Sequence, residues 1–325
     1  MRRLLVSAIA LALAGASLDA AAQAAAPNAA PPVVDATTQL PRNVRPIHYT
    51  IAVVPHADKL AFDGKVSIAV DVLETTNKIV LNAVDMTFSK AVLNPQNGKV
   101  QDAKVSTDAA NQTATFTFAT PLAPGQYLLS MDYTGKIGTQ ANGLFAIDYE
   151  NKDGKQRALY TQFEASDARK FIPSFDEPNH KAVFDLSADV PSKQMAVSNM
   201  PVKTSKDLGN GLKRVTFETS PKMSTYLLFF GVGDFERATK MQGQTEVGVV
   251  TQRGVSEQAR FALDSSADVL KEYNDYFATP YPLPKLDNVA SPGRSQFFGA
   301  MENWGAIYTF EYALLLDPTI STQSD

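Results

Sequence analysis

The chain has no cysteine and only three histidines, His48, His56 and His180. Without a thiol there is no disulfide framework, thiolate nucleophile, Cys-ligated zinc or iron–sulfur cluster. The histidines stand 8 and 124 positions apart, so no pair has the i, i+4 spacing that sets two imidazoles on one metal from a single helix. None of the three is assigned to metal. Two segments far apart in the chain are singled out for their carboxylates and amides. One holds Gln162-Phe163-Glu164 and Asp176-Glu177-Pro178; the other is Gly299-Ala300-Met301-Glu302-Asn303-Trp304-Gly305. A carboxylate accepts charge-assisted hydrogen bonds, which suits it to hold a cation. Taken alone, a glutamate such as Glu164 is more often a solvated surface group.

The elements that must position these segments are mostly strands. Ile47, Tyr49, Ile51 and Val53 alternate with His48, Thr50 and Ala52, and Val66, Ile68, Val70 and Val72 alternate after Asp63-Gly64. The pattern recurs at 78–81, 113–118, 126–133, 144–149, 158–163, 182–190, 214–219 and 225–232. Turn signals stand at Pro124-Gly125, Asn142-Gly143, Asp153-Gly154 and Asn210-Gly211. About ten short strands without a long helix predict an all-β sandwich or saddle over 41–240. Past Arg253-Gly254 the periodicity becomes helical: Ser256 is a candidate cap, and Ala262, Ser266, Val269, Leu270, Tyr273 and Phe277 follow until Pro280. A strand is expected at 285–290, and Gly299–Tyr308 leads to an apolar run ending at Leu314-Leu315-Leu316. The region 241–325 therefore reads as the start of a second, mixed domain.

Residues 1–26 read as a secretory signal and its cleavage region, with Arg2-Arg3 ahead of an apolar stretch and small residues after it. That stretch, 4–16, is shorter than the roughly 20 residues a membrane span needs, so an exported, periplasmic or extracellular protein without a span is expected. Residues 27–40, with Pro27, Pro31 and Pro32, read as a flexible lead-in. Thirty Lys and Arg against 34 Asp and Glu give a net charge of −4 with no basic run, so no nucleic-acid partner is expected.

The segment 299–305 resembles the Gly-Ala-Met-Glu-Asn signature of zinc aminopeptidases of the aminopeptidase N type, with five consecutive matches. Gln162-Phe163-Glu164 and Phe175-Asp176-Glu177-Pro178 resemble further elements of the same family, as do Leu40–Tyr49, Lys285-Leu286-Asp287 and the Leu-Leu-Asp-Pro run at 315–318. The resemblance implies a thermolysin-like α+β domain after the β-domain, one zinc ion, and peptides with a free N-terminus as partners. It also implies that Glu302 and Glu164 grip the substrate's ammonium, with Gln162 as a neutral partner nearby. Gly299 and Ala300 would offer backbone groups within the motif that Met301 and Asn303 complete, and Phe298 would wall the first side-chain pocket. Two facing carboxylates repel unless a cation lies between them, so blocked N-termini should be refused. The family's zinc motif, H-E-x-x-H, occurs nowhere in the 325 residues. The expectation is therefore an N-terminal portion of a longer enzyme, inactive by itself, with neither catalytic nor metal-binding residues of its own. The alternatives are a non-catalytic peptide-binding protein and, less favoured, an epoxide-hydrolysing branch of the family.

Overall fold

The computed structural model describes residues 39–95, 99–295 and 298–317. The secretory leader, and the lead-in as far as Thr38, lie outside the described residues. Alternating apolar side chains make Val44–His56 and Ala61–Val72 a long antiparallel pair that buries Tyr49, Ile51, Val53, Val66, Ile68, Val70 and Val72. The strand Val44–His56 also runs parallel to Val183–Pro191, and there Tyr49 faces Phe184 with the rings stacked 4.9 Å apart. These strands centre an eight-stranded sheet, which Gly125–Lys136, Thr87–Pro95 and Gln101–Asp102 extend on one side and Leu212–Phe217 and Val202–Gly209 on the other. Thr76–Asn82, Thr113–Leu122 and Lys104–Asp108 form a three-stranded sheet. The chain is mainly β, with one α-helix near its C-terminal end among the described residues.

Two smaller sheets carry the motifs. Met195–Ser198, Phe230–Gly233, Gly154–Gln162 and Gly143–Asn151 make the first, in that order. The second runs Phe235–Gln242, Thr245–Gln252, Lys285–Ser291, Ala306–Phe310 and Ala300–Met301. In it Thr245–Gln252 and Lys285–Ser291 are parallel neighbours, so the helix Arg260–Tyr276 is their crossover. Met301, Tyr308 and Phe310 from this sheet join the main hydrophobic core, which ties the second motif to the β-domain. No helix among the described residues is long and apolar enough to cross a membrane.

Three local expectations are corrected. The stretch 225–232 is not one strand: Thr225–Leu227 is a 3-10 turn and the strand begins at Phe230. Ser256 does not cap the helix with its side chain. Instead Glu236 Oε1 accepts from the backbone N–H groups of Gly254 (2.8 Å) and Ser256 (3.0 Å) ahead of the helix. Finally, the helix buries Ala262, Ala267 and Leu270 and leaves Val269, Tyr273 and Phe277 exposed. Small residues let it lie close against the hairpin of 235–252.

Candidate active site: two carboxylates around a tyrosine

The strand Gly154–Gln162 is held along Gly143–Asn151 on one side and at Leu159 and Tyr160 by Phe230–Gly233 on the other. Thr161 Oγ1 accepts from the Phe230 N–H at 2.8 Å, which fixes the end of the strand. Beyond it Gln162 is buried and folds its amide back on its neighbour. Its Oε1 accepts from Glu164 N–H at 3.1 Å, and its Nε2 donates to the Glu164 carbonyl at 3.4 Å. Gln162 thus braces the backbone that presents Glu164, and the Glu164 side chain is exposed.

The second motif alternates inward and outward. Ala300–Met301 pairs antiparallel with Ala306–Phe310, and Phe310 N–H donates to the Gly299 carbonyl at 3.0 Å. Met301 and Asn303 are buried, whereas Glu302 and Trp304 face outward. The Met301 side chain anchors the motif in the core, and the Asn303 side chain is buried against the Leu227 carbonyl. Ala300 is exposed, and half-buried Phe298 leans on Tyr308 and Phe310, with ring centroids 6.1 and 5.4 Å away.

Asparagines fasten the motif to the β-domain. The Leu227 carbonyl accepts from Asn199 Nδ2 at 2.8 Å and Asn303 Nδ2 at 3.4 Å, and Asn199 Nδ2 also donates to the Trp304 carbonyl at 2.8 Å. Gly305 closes the turn at φ +73°, and a Cβ there would lie 2.2 Å from the Asn199 carbonyl oxygen. Both the backbone angle and the close approach require glycine.

From below, the Gly305 carbonyl accepts from Lys285 Nζ at 2.6 Å and from Asp287 N–H at 3.1 Å. Lys285 also pairs with Asp287 at 2.9 Å, and Arg237 reaches Asp287 at 2.8 Å, so two cations meet one buried carboxylate. Burial pushes the Lys285 amine below its usual range, opposed by the charge of Asp287. The Lys-Leu-Asp run thus holds the motif in place from inside.

These supports bring Glu302 and Glu164 to one neighbourhood, and Tyr226 stands there with them. Its hydroxyl donates to Glu302 Oε1 at 3.5 Å. Burial raises the phenol above its ordinary range, and the negative charges of Glu302 and Glu164 add to the shift. Nothing in the sequence singles out Tyr226; its direction depends on the 3-10 turn that period-two reading passes over.

A further carboxyl lies outside this group. Glu311 accepts from Gln252 Nε2 at 3.0 and 3.2 Å, and burial pushes its pKa up to about 7. A raised folded-state value favours the protonated form in the fold, so this group costs stability as pH rises from about 4.5 through 7. Glu311→Gln is therefore expected to stabilise the chain by about 2 kcal/mol at pH 8 and by little at pH 4. Urea midpoints at the two pH values check this; an equal gain at both would contradict it.

Among the described residues no group of three or more His, Cys, Asp or Glu could hold a metal ion. These residues do not fit zinc.

Residues 45–227, more than half of the chain, match the Peptidase M1 N-terminal domain, and residues 261–325 match the Peptidase family M1 domain. The chain is 41% identical to an Aminopeptidase N of Acetobacter pasteurianus over 288 residues, covering 88% of this chain and 80% of that protein. It is 39% identical to Aminopeptidase M1-B of Oryza sativa subsp. japonica over 299 residues, which is 91% of this chain and 34% of the rice protein. A Puromycin-sensitive aminopeptidase of Caenorhabditis elegans is 35% identical over 288 residues, with 87% and 30% covered. The chain thus spans about a third of the length of the rice and nematode relatives. With both family domains matched in order and the Gly-Ala-Met-Glu-Asn motif seated against the β-domain, the chain belongs to peptidase family M1, a family of peptidase enzymes.

Proposed function

We propose that this chain supplies the substrate-anchoring side of an exported zinc aminopeptidase that hydrolyses the first peptide bond of peptides with a free α-amine. The observation that carries this reading is the hydrogen bond from Tyr226 to Glu302 at 3.5 Å, with the charge of Glu164, from a segment far away in sequence, acting on the same phenol. An ammonium entering between the two carboxylates neutralises their repulsion and donates charge-assisted hydrogen bonds to both. The strand Ala300–Met301 is the edge of its sheet among the described residues, which is where an extended peptide would join as a further strand. Amine and backbone held together fix the distance from the N-terminus to the first carbonyl, which is what a one-residue cut needs. The zinc ion that the resemblance implies would supply Lewis-acid chemistry, and no cluster among the described residues would hold it. Residues 1–26 would direct the protein to the periplasm or outside the cell.

Isothermal titration of the purified 325-residue chain with an amino-acid amide and with its N-acetylated form tests the anchoring. The free amine is expected to bind at least tenfold more tightly, the scale of one lost charge-assisted contact. Equal binding of the two would refute it. A second reading, a peptide-binding protein without catalysis, rests on the same two carboxylates gripping free N-termini. On either reading the purified chain is expected to release no N-terminal residue; chelator-sensitive turnover by pure material would reject that expectation.

A further inference from the structure

We infer that Tyr226 is a third member of the amine site, a positioning residue whose hydroxyl orients the Glu302 carboxylate toward the substrate's ammonium. This rests on the anchoring role of Glu302 proposed above.

The contact is built in by its neighbours. Leu227, next to Tyr226, accepts through its carbonyl from the side chain of Asn303, next to Glu302. Asn199 holds that carbonyl too and reaches on to Trp304, so the turn bearing the phenol and the motif bearing the carboxylate are tied at three consecutive motif residues. The Asn199 carboxamide also accepts from Phe229 N–H at 2.8 Å, which fixes the chain leaving the turn. Tyr226 and Glu302 therefore face each other across a locked junction between a 3-10 turn and an edge strand.

The chemistry of the group fits this place. A phenol offers one donor, and given to Glu302 Oε1 it leaves Oε2 and the remaining lone pairs for an ammonium. At 3.5 Å the bond is long, as such contacts are before a ligand draws the partners together. Burial, with the negative charges of Glu302 and Glu164 adding to it, holds the phenol above its ordinary range, so the hydroxyl stays a donor at neutral and mildly alkaline pH. The hydroxyl also gives Glu302 a partner while no amine is bound.

Tyr226→Phe removes the donor and keeps the ring. It is made in the 325-residue chain alone and together with Glu302→Ala, and each protein is titrated with an amino-acid amide and its N-acetylated form. Tyr226→Phe is expected to weaken free-amine binding about three- to tenfold, leave the N-acetylated form and the melting temperature unchanged, and have no further effect once Glu302 is alanine. If Tyr226→Phe binds like the parent while Glu302→Ala loses affinity, the positioning role is overturned and the anchoring reading survives. An equal loss from Tyr226→Phe with and without Glu302 also overturns it, because the hydroxyl would then act independently of that carboxylate. If neither substitution weakens binding, the anchoring reading falls and takes this inference with it.

Discussion

Replacing Asp287 by alanine is expected to cost about 3–5 kcal/mol of stability, the range for breaking a buried ion pair from one side. The side chain of Asp287 is 2% exposed and is met by Lys285, 7% exposed, and by Arg237. With Asp287 gone, two cations are left side by side, and Arg237 keeps only its pairing with Glu246. Lys285 would turn from pinning the Gly305 carbonyl to seeking water. Removing both charges together, as in Lys285→Met with Asp287→Leu, is expected to cost less than Asp287→Ala alone, since no unpaired charge is stranded at 285. Chemical denaturation of the three proteins checks this. An Asp287→Ala chain as stable as the parent would contradict the role given to the network.

Glu302→Ala is expected to lower kcat/KM for free-amine peptides by roughly 2–4 kcal/mol in the hydrolysing enzyme, about 30- to 1000-fold. The substrate's ammonium then meets Glu164 alone. Glu302 is exposed and its recorded bond is the long one to Tyr226, so the same substitution should leave the melting temperature almost unchanged. The loss expected at Glu302 is thus one of function, and the loss at Asp287 one of stability. Glu302→Gln keeps an acceptor without the charge and is expected to recover only a small part of the loss. Steady-state kinetics near those of the parent for either variant would reject the anchoring role.

The motif at 299–305 and the period-two strands were legible because both write themselves in local sequence. Five matching residues survive any folding detail, and Tyr49, Ile51 and Val53 point one way wherever their strand lies. What escaped depends on partners distant in the chain. Val202–Gly209 is exposed at every position, so it carries no alternation and pairs as an edge strand through its backbone. The helix residues Val269, Tyr273 and Phe277 look like a core stripe, yet close packing on the hairpin of 235–252 selects Ala262, Ala267 and Leu270 instead. Tyr226 was hidden because Thr225–Val232 reads as one extended run, whereas its first residues turn and aim the phenol at a motif 76 positions away. Gln162 shows the opposite limit. Its place beside Glu164 was legible, but its use of both polar atoms on that residue's backbone was not.

The most direct test is a crystal structure of this chain with a short peptide bearing a free N-terminus. The peptide's ammonium nitrogen is expected within about 3 Å of carboxylate oxygens of both Glu302 and Glu164, the distance of charge-assisted hydrogen bonds. An ammonium bound away from these two carboxylates, or a peptide seated with its N-terminus in solvent, would contradict the proposed function.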